Sequence, residues 1–128
     1  MPPPRSSTSL ATTLCGVDLV SPIVLAAGTA GTIDEMGEVV DLRRVGAVVT
    51  KSITRLAREG NPFPRVTWTR GGMLNAVGLA NPGLDGFIRD IAPRVKTAPC
   101  PVIGSVAGDR IEDYVEIASA MAATEGLG

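Results

Sequence analysis

Lys51 follows Val48-Val49-Thr50, a β-branched run of the kind that forms a buried strand, and a lysine is out of place there. Two readings stand side by side. Either the ammonium snorkels out of the strand end, or it faces a ligand. In the second case a fixed cation suits a ligand that gains negative charge as it reacts, such as an enolate or a reduced flavin. The stretch from Gly71 to Gly83, GGMLNAVGLANPG, is the second candidate. Its glycines permit close backbone approach and positive φ. The amides of Asn75 and Asn81 match a lactam edge such as a pyrimidine's. The plainer reading is that Asn and Gly build turns, with Asn81 before Pro82 as a helix cap. Ala27-Gly28-Thr29 and Gly31 form a turn whose backbone N–H groups suit a phosphate or a ring, although the spacing is not GxGxxG and no Walker lysine follows. Ser105 ends another apolar run, where a serine is more often a satisfied core hydroxyl than a ligand contact.

Composition removes other chemistries. The 128 residues include no histidine, which excludes imidazole bases, His-based triads and His metal ligands. Cys15 and Cys100 form no CxxC motif and read as small buried hydrophobes rather than nucleophiles. Net charge is −1, which gives no electrostatic case for nucleic acid or an anionic membrane as partner. Aromatic residues are 3%, so the core must be aliphatic. No apolar run reaches the ~18 residues of a membrane span, and the first residues carry no apolar signal-peptide core. These features predict a soluble, cytoplasmic protein.

The elements that must position the candidates follow from the apolar runs. Residues 1–11, rich in Pro and Ser, read as a disordered leader, and 12–128 as one folded unit. Thr13 to Leu19 predicts a hairpin turning near Gly16. Pro22 to Gly28 reads as a strand buried on both faces. Asp34 to Val40 reads as a short helix capped by Thr32 or Asp34, its acidic residues being a solvated face plus a cap. Ala47 to Thr50 is a second buried strand. Ile53 to Asn81 is a long connection without helical period, of the sort that serves active sites, with a short strand at Arg65 to Thr69. Its Arg55, Arg58, Glu59 and Arg65 are either an ion-pair network or a lid. Pro82 to Ile91 predicts a helix with Leu84, Phe87, Ile88 and Ile91 inward. Pro101 to Gly108 is a third buried strand. Asp109 then caps a helix whose apolar face is Ile111, Tyr114, Val115, Ala118, Met121 and Ala122, with Gly126 as C-cap.

Three apolar strands separated by helices predict an α/β fold with a parallel sheet. The unusual residues fall at the strands' C-terminal ends, where such folds bind ligands. A complete barrel of this kind needs roughly 200 residues or more. Three strands leave an open edge, so the chain is expected to be a fragment, a truncated product or half of an assembly.

Several stretches in order resemble the class 1 dihydroorotate dehydrogenases, particularly the NAD-linked B type. They are Cys15-Gly16-Val17-Asp18-Leu19, Ala26-Ala27-Gly28, Thr50-Lys51-Ser52-Ile53-Thr54, Gly60-Asn61-Pro62-Phe63-Pro64-Arg65, Asn75-Ala76-Val77-Gly78-Leu79-Ala80-Asn81-Pro82-Gly83 and Val106-Ala107-Gly108. The resemblance implies a TIM (β/α)8-type barrel of which only the first three βα units are present, with FMN at the C-terminal mouth. It implies cofactor contacts at Ala27, Gly28, Lys51, Ser52 and Ser105. Substrate contacts fall at Lys51, Asn75, Ala76, Val77, Gly78 and Leu79, with Asn75 hydrogen-bonding the pyrimidine. The implied reaction is oxidation of dihydroorotate to orotate in UMP biosynthesis, with Lys51 stabilising charge on the reduced flavin. The family's cysteine base is expected beyond Gly128, so no catalytic residue is assigned here and the isolated chain is expected to be inactive. An iron–sulfur/FAD electron-transfer subunit is the implied partner, in a homodimer or heterotetramer. Two positions depart from the family pattern: Ala27 stands where Ser is usual and Ser105 where Asn is usual. The competing expectation is a non-catalytic half-barrel or another dihydropyrimidine-type flavoprotein.

Overall fold

A computed structural model describes residues 9–128. Its strands are β1 (Thr12–Leu14), β2 (Val17–Leu19), β3 (Val24–Leu25), β4 (Ala47–Val49), β5 (Val66–Thr69), β6 (Gly72–Asn75) and β7 (Val102–Ile103). Its α-helical segments are α1 (Gly83–Gly86), α2 (Ala92–Val95) and α3 (Ile111–Ala122), with 3-10 turns at Glu35–Glu38 and Leu42–Arg44. The hairpin β1–β2 forms as expected around a two-residue turn at Cys15 and Gly16, both with positive φ, the geometry that matches strand twist. Cys15 at that turn is exposed, so it is not the buried hydrophobe expected from its type. Cys100 is half-buried, and burial pushes its thiol pKa up against a lowering hydrogen bond with the Val48 backbone. Residues 9–11 are exposed, and the rest of the expected leader, 1–8, lies outside the described residues.

The sheet that organises the chain is parallel, in the order β3-β4-β7. Val24 lies opposite Ala47, Leu25 opposite Val48, Val48 opposite Val102 and Val49 opposite Ile103. β4 is central, and its Ala47 and Val48 are fully buried. β3 is an edge strand with one neighbour. Ile23 is 59% and Val24 36% exposed, which corrects the expectation of a strand buried on both faces. Pairing continues past β4 and β7: the Ile53 N–H donates to the Ser105 carbonyl and the Ala107 N–H to the Ile53 carbonyl, both at 2.9 Å. The chain's last residues add to β7 in parallel, with the Gly128 N–H donating to the Val102 carbonyl at 2.8 Å.

One buried cluster joins this sheet to the helices through Ile33, Ile53, Leu84, Phe87, Ile91, Val95, Val102, Ile117 and Met121. The helix after Pro82 runs longer than Ile91 and is interrupted by a π turn at Phe87–Ile91, where the Ala92 N–H donates to the Phe87 carbonyl. Pro93 follows directly; it has no N–H to give to a regular ladder, and the wide turn precedes it. Val95, four residues beyond Ile91, joins the core, whereas Ile88 is 51% exposed, contrary to the expected stripe. In α3 only Ile117 and Met121 are buried. Ile111, Tyr114 and Val115 of the expected inner face are exposed. The helix is apolar on more than one side, and the sheet covers only one. Its cap also differs. Asp113, not Asp109, accepts the N–H groups of Asp109 and Arg110 at 3.3 and 3.2 Å. The helix ends at Ala122, before Gly126.

Around Glu35 the acidic stretch is less simple than a solvated face. Its carboxylate accepts the N–H groups of Thr32 and Ile33, each at 2.8 Å, taking the capping role expected of Thr32 or Asp34. Arg94 pairs with Asp34 and lies 3.6 Å from Glu35. Partial burial raises the Glu35 pKa, but the N–H groups of Ile33, Glu35 and Thr32 and the charge of Arg94 outweigh it and hold it at about 2. A lowered folded pKa stabilises fully above the ordinary value of 4.5 and is lost as pH falls toward 2. Glu35→Gln is therefore expected to lower Tm by a few degrees at pH 7, with parent and variant converging below about pH 3. Thermal melts across that range check it; a Tm difference that persists unchanged at pH 2 contradicts it.

Candidate ligand cleft at the strand ends

The turn after β3, the end of β4 and the end of β6 open onto one cleft of about 400 Å³. It is lined by Ala27, Gly28, Thr29, Lys51, Ser52, Asn75, Val77, Gly78 and Leu79. Parallel strands bring their C-terminal ends to one edge, which is why residues as far apart in sequence as Ala27 and Leu79 meet here. Lys51 and Ser52 leave the central strand, whose backbone is held on both sides; the Thr50 N–H donates to the Ile103 carbonyl at 2.9 Å. Thr29 turns its hydroxyl back to the Ala26 carbonyl, at 2.7 Å, and so closes its own turn. Asn75 reaches the cleft because β5 and β6 form an antiparallel hairpin with Val66 opposite Asn75. The sequence showed only the first of these strands. Gly72-Met73-Leu74-Asn75 lacks β-branched residues, and the hairpin is exposed on both faces, so no alternation marks it.

Ala76 and Ser105 do not line the cleft. Ser105 sits behind Ser52, with the two hydroxyl oxygens 2.8 Å apart and the Ser105 N–H donating to Thr50 Oγ1 at 3.0 Å. Asn81 is turned inward as well. Its Oδ1 accepts the N–H groups of Thr54 and Gly83, and its Nδ2 donates to Thr54 Oγ1 and the Leu79 carbonyl. Its amide is thus consumed within the protein, and of the two readings of Asn81 the structural one holds. The arginines of the long connection pair with α3 and its approach: Arg55 with Glu116 at 2.6 Å and Arg58 with Asp109 at 2.5 Å. Arg65 donates to the Glu59 and Asn61 carbonyls and stacks over Phe63. They form a network rather than a lid. A larger cleft of about 600 Å³ lies between that network and the start of α3, but its three arginines are each paired with a carboxylate, Arg55 with Glu116, Arg58 with Asp109 and Arg110 with Glu112, and Asp113 caps the helix.

Among the described residues, Lys51 is the one charged side chain of the strand-end cleft. With no carboxylate in the lining, the field there favours an anionic or charge-accumulating ligand. Beside the ammonium stand the Ser52 hydroxyl and the Asn75 carboxamide, and apolar Ala27, Val77 and Leu79 offer flat contact. At Gly28, with φ of 72°, no heavy atom lies within 4 Å of the position a Cβ would take. The backbone is therefore bare toward the open space. No helix among the described residues is long and apolar enough to cross a membrane.

A parallel α/β sheet with an electropositive cleft at its C-terminal strand ends defines a class of protein that binds its ligand at that edge. A sequence model of the dihydroorotate dehydrogenase family matches residues 9–126, and the chain belongs to that family. The catalytic subunit of dihydroorotate dehydrogenase B (NAD(+)) from Desulforudis audaxviator is 40% identical over 117 residues, 91% of this chain and 38% of that protein. The same subunit from Alkaliphilus metalliredigens is 46% identical over 104 residues, 81% of this chain and 34% of that protein. The chain thus spans little more than a third of the length of these relatives. Among solved structures, dihydroorotate dehydrogenase from Eimeria tenella in complex with ferulenol superposes with a TM-score of 0.64 at 21% identity, covering 84% of this chain and 32% of that one. That likeness is one of fold.

Proposed function

We propose that the chain supplies the first three βα units of a TIM-type (β/α)8 barrel, which oxidises dihydroorotate to orotate for UMP synthesis. The observation that carries this reading is the meeting of Ala27-Gly28, Lys51-Ser52 and Asn75 through Leu79 around one cleft whose only charge is an ammonium. FMN fits what is there. Ala27 and the bare backbone at Gly28 suit a flat ring, and Lys51 and Ser52 suit its polar edge. When bound, the flavin supplies the hydride acceptor. Lys51 offsets negative charge beside it, while Asn75 and the backbone of Val77 to Leu79 bind and orient the pyrimidine edge through paired donors and acceptors.

The relatives' description as NAD-linked catalytic subunits supports a B-type enzyme working with an electron-transfer subunit that carries FAD and an iron–sulfur centre. A cytoplasmic location and a dimeric or heterotetrameric assembly complete this reading. The test is a chimera in which residues 9–126 replace the matching third of a B-type catalytic subunit. Reconstituted with FMN and mixed anaerobically with dihydroorotate, it should lose its flavin absorbance in a single turnover. A folded, FMN-loaded chimera that dihydroorotate leaves fully oxidised refutes the proposal.

A further inference from the structure

The Gly60-Asn61-Pro62 turn and the Asn81-Pro82 step have no part in the ligand cleft itself, yet both hold the loop that forms its wall. Asn61 grips two successive carbonyls. Its backbone N–H donates to the Val77 carbonyl at 3.1 Å, and its Nδ2 donates to the Ala76 carbonyl at 3.0 Å. The fit leaves no slack, because a Cβ on Gly78 would stand 2.7 Å from the Asn61 nitrogen. At the other end Asn81 Nδ2 donates to the Leu79 carbonyl at 2.8 Å. Leu79 has a φ of 55°, a left-handed conformation that a leucine does not hold without outside support. Asn81 is itself buried and pinned by Thr54, beside the end of β4. Three carbonyls of the 76–79 loop, those of Ala76, Val77 and Leu79, are thus fixed by carboxamide or amide donors from outside it.

We propose that Asn61 and Asn81 are positioning residues that bracket the 76–79 loop and hold its backbone in the shape that receives the ligand. The proposal rests on the pyrimidine reading of the cleft. It assigns a task to two asparagines that do not touch the ligand. Holding the wall in place before binding removes the ordering entropy that a free loop would lose on contact.

Aspartate separates this role from a simple capping role. Asn81→Asp keeps an oxygen for the N–H groups of Thr54 and Gly83, and Asp caps a helix as well as Asn does. What it loses is the Nδ2 donor to the Leu79 carbonyl and to Thr54 Oγ1; the Thr54 hydroxyl can turn to donate to the carboxylate, but the Leu79 carbonyl is left facing an oxygen. Asn61→Asp does the same to the Ala76 carbonyl on an exposed residue, so it cannot be dismissed as a folding defect. The experiment is hydrogen–deuterium exchange on the full chain, with and without orotate, for parent and both variants. Exchange of the Ala76 amide, the one in the 76–80 peptide that donates to a backbone carbonyl (that of Arg65), is expected to rise about tenfold in each variant, with exchange in α3 unchanged. Orotate protection of that peptide should require about tenfold more orotate.

Unchanged exchange in 76–80 for Asn61→Asp overturns the bracket, whatever happens at Asn81. Raised exchange with undiminished orotate protection also overturns it, since the loop's shape then does not matter to binding. If orotate protects nothing in the parent chain, the pyrimidine reading fails, and the exchange of the unliganded variants still decides whether the asparagines hold the loop.

Discussion

Lys51→Ala is expected to slow reduction of bound flavin by dihydroorotate about 10²- to 10³-fold in the chimeric catalytic subunit. That is the usual loss when one preorganised partner of developing charge is removed. The size follows from position. Lys51 is the cleft's single charged side chain, and it leaves a strand held by neighbours on both sides, so its ammonium is aimed by rigid backbone. Nothing else in the lining can take its place; Ser52 and Asn75 are neutral. Lys51→Arg should recover little, because a planar fork does not occupy the volume of a compact ammonium. Stopped-flow bleaching of the flavin band measures the rate directly, and FMN affinity, measured separately by fluorescence, should fall far less. A Lys51→Ala rate within threefold of the parent would remove Lys51 from the chemistry and leave the snorkelling explanation.

Phe87→Ala is expected to cost about 3–5 kcal/mol, the range for deleting a fully buried phenyl ring. Phe87 has no exposed surface and is the largest of the fully buried side chains. With so few aromatics in the chain, no second ring shares its role. It shares the central cluster with Ile53 of the segment after β4, Val102 of β7 and Ile117 of α3. A hole there loosens sheet and helices together. Against a typical domain stability of about 5–15 kcal/mol, such a loss removes between a fifth and the whole of the margin. Urea titration of parent and variant gives the difference; a loss under 1 kcal/mol would mean that the cluster closes over the cavity.

The parts of this molecule legible from sequence are those where one physical cause dominates. Val48 and Val102 sit in short β-branched runs, and the runs became paired strands. The cleft residues Gly28, Lys51 and Ser52 were visible because they follow such runs directly, and parallel pairing leaves strand ends nowhere to go but one edge. Where two causes compete, the reading failed. The phase of α3 was misread because Ile111, Tyr114 and Val115 make as good an apolar stripe as Ile117 and Met121, and only the sheet decides which is covered. Simple periodicity ran the inner stripe after Pro82 through Ile88, which is half exposed, while the buried residues keep to Leu84, Phe87, Ile91 and Val95. Ser105 was read from its position as a satisfied core hydroxyl, and its oxygen does lie 2.8 Å from that of Ser52. Asn61 drew notice only as part of a motif; the carbonyls it grips are fifteen residues away or more, and no local pattern announces that.

The cleft wall holds one ammonium, two hydroxyls and one carboxamide, and neither carboxyl, thiol, phenol nor imidazole. Groups of those four kinds are the ones that gain or lose protons over roughly pH 3–10. A wall without them offers no carboxyl or imidazole to the acid side of a pH–rate profile, so a limb there belongs to groups that lie outside this wall or in the ligand itself.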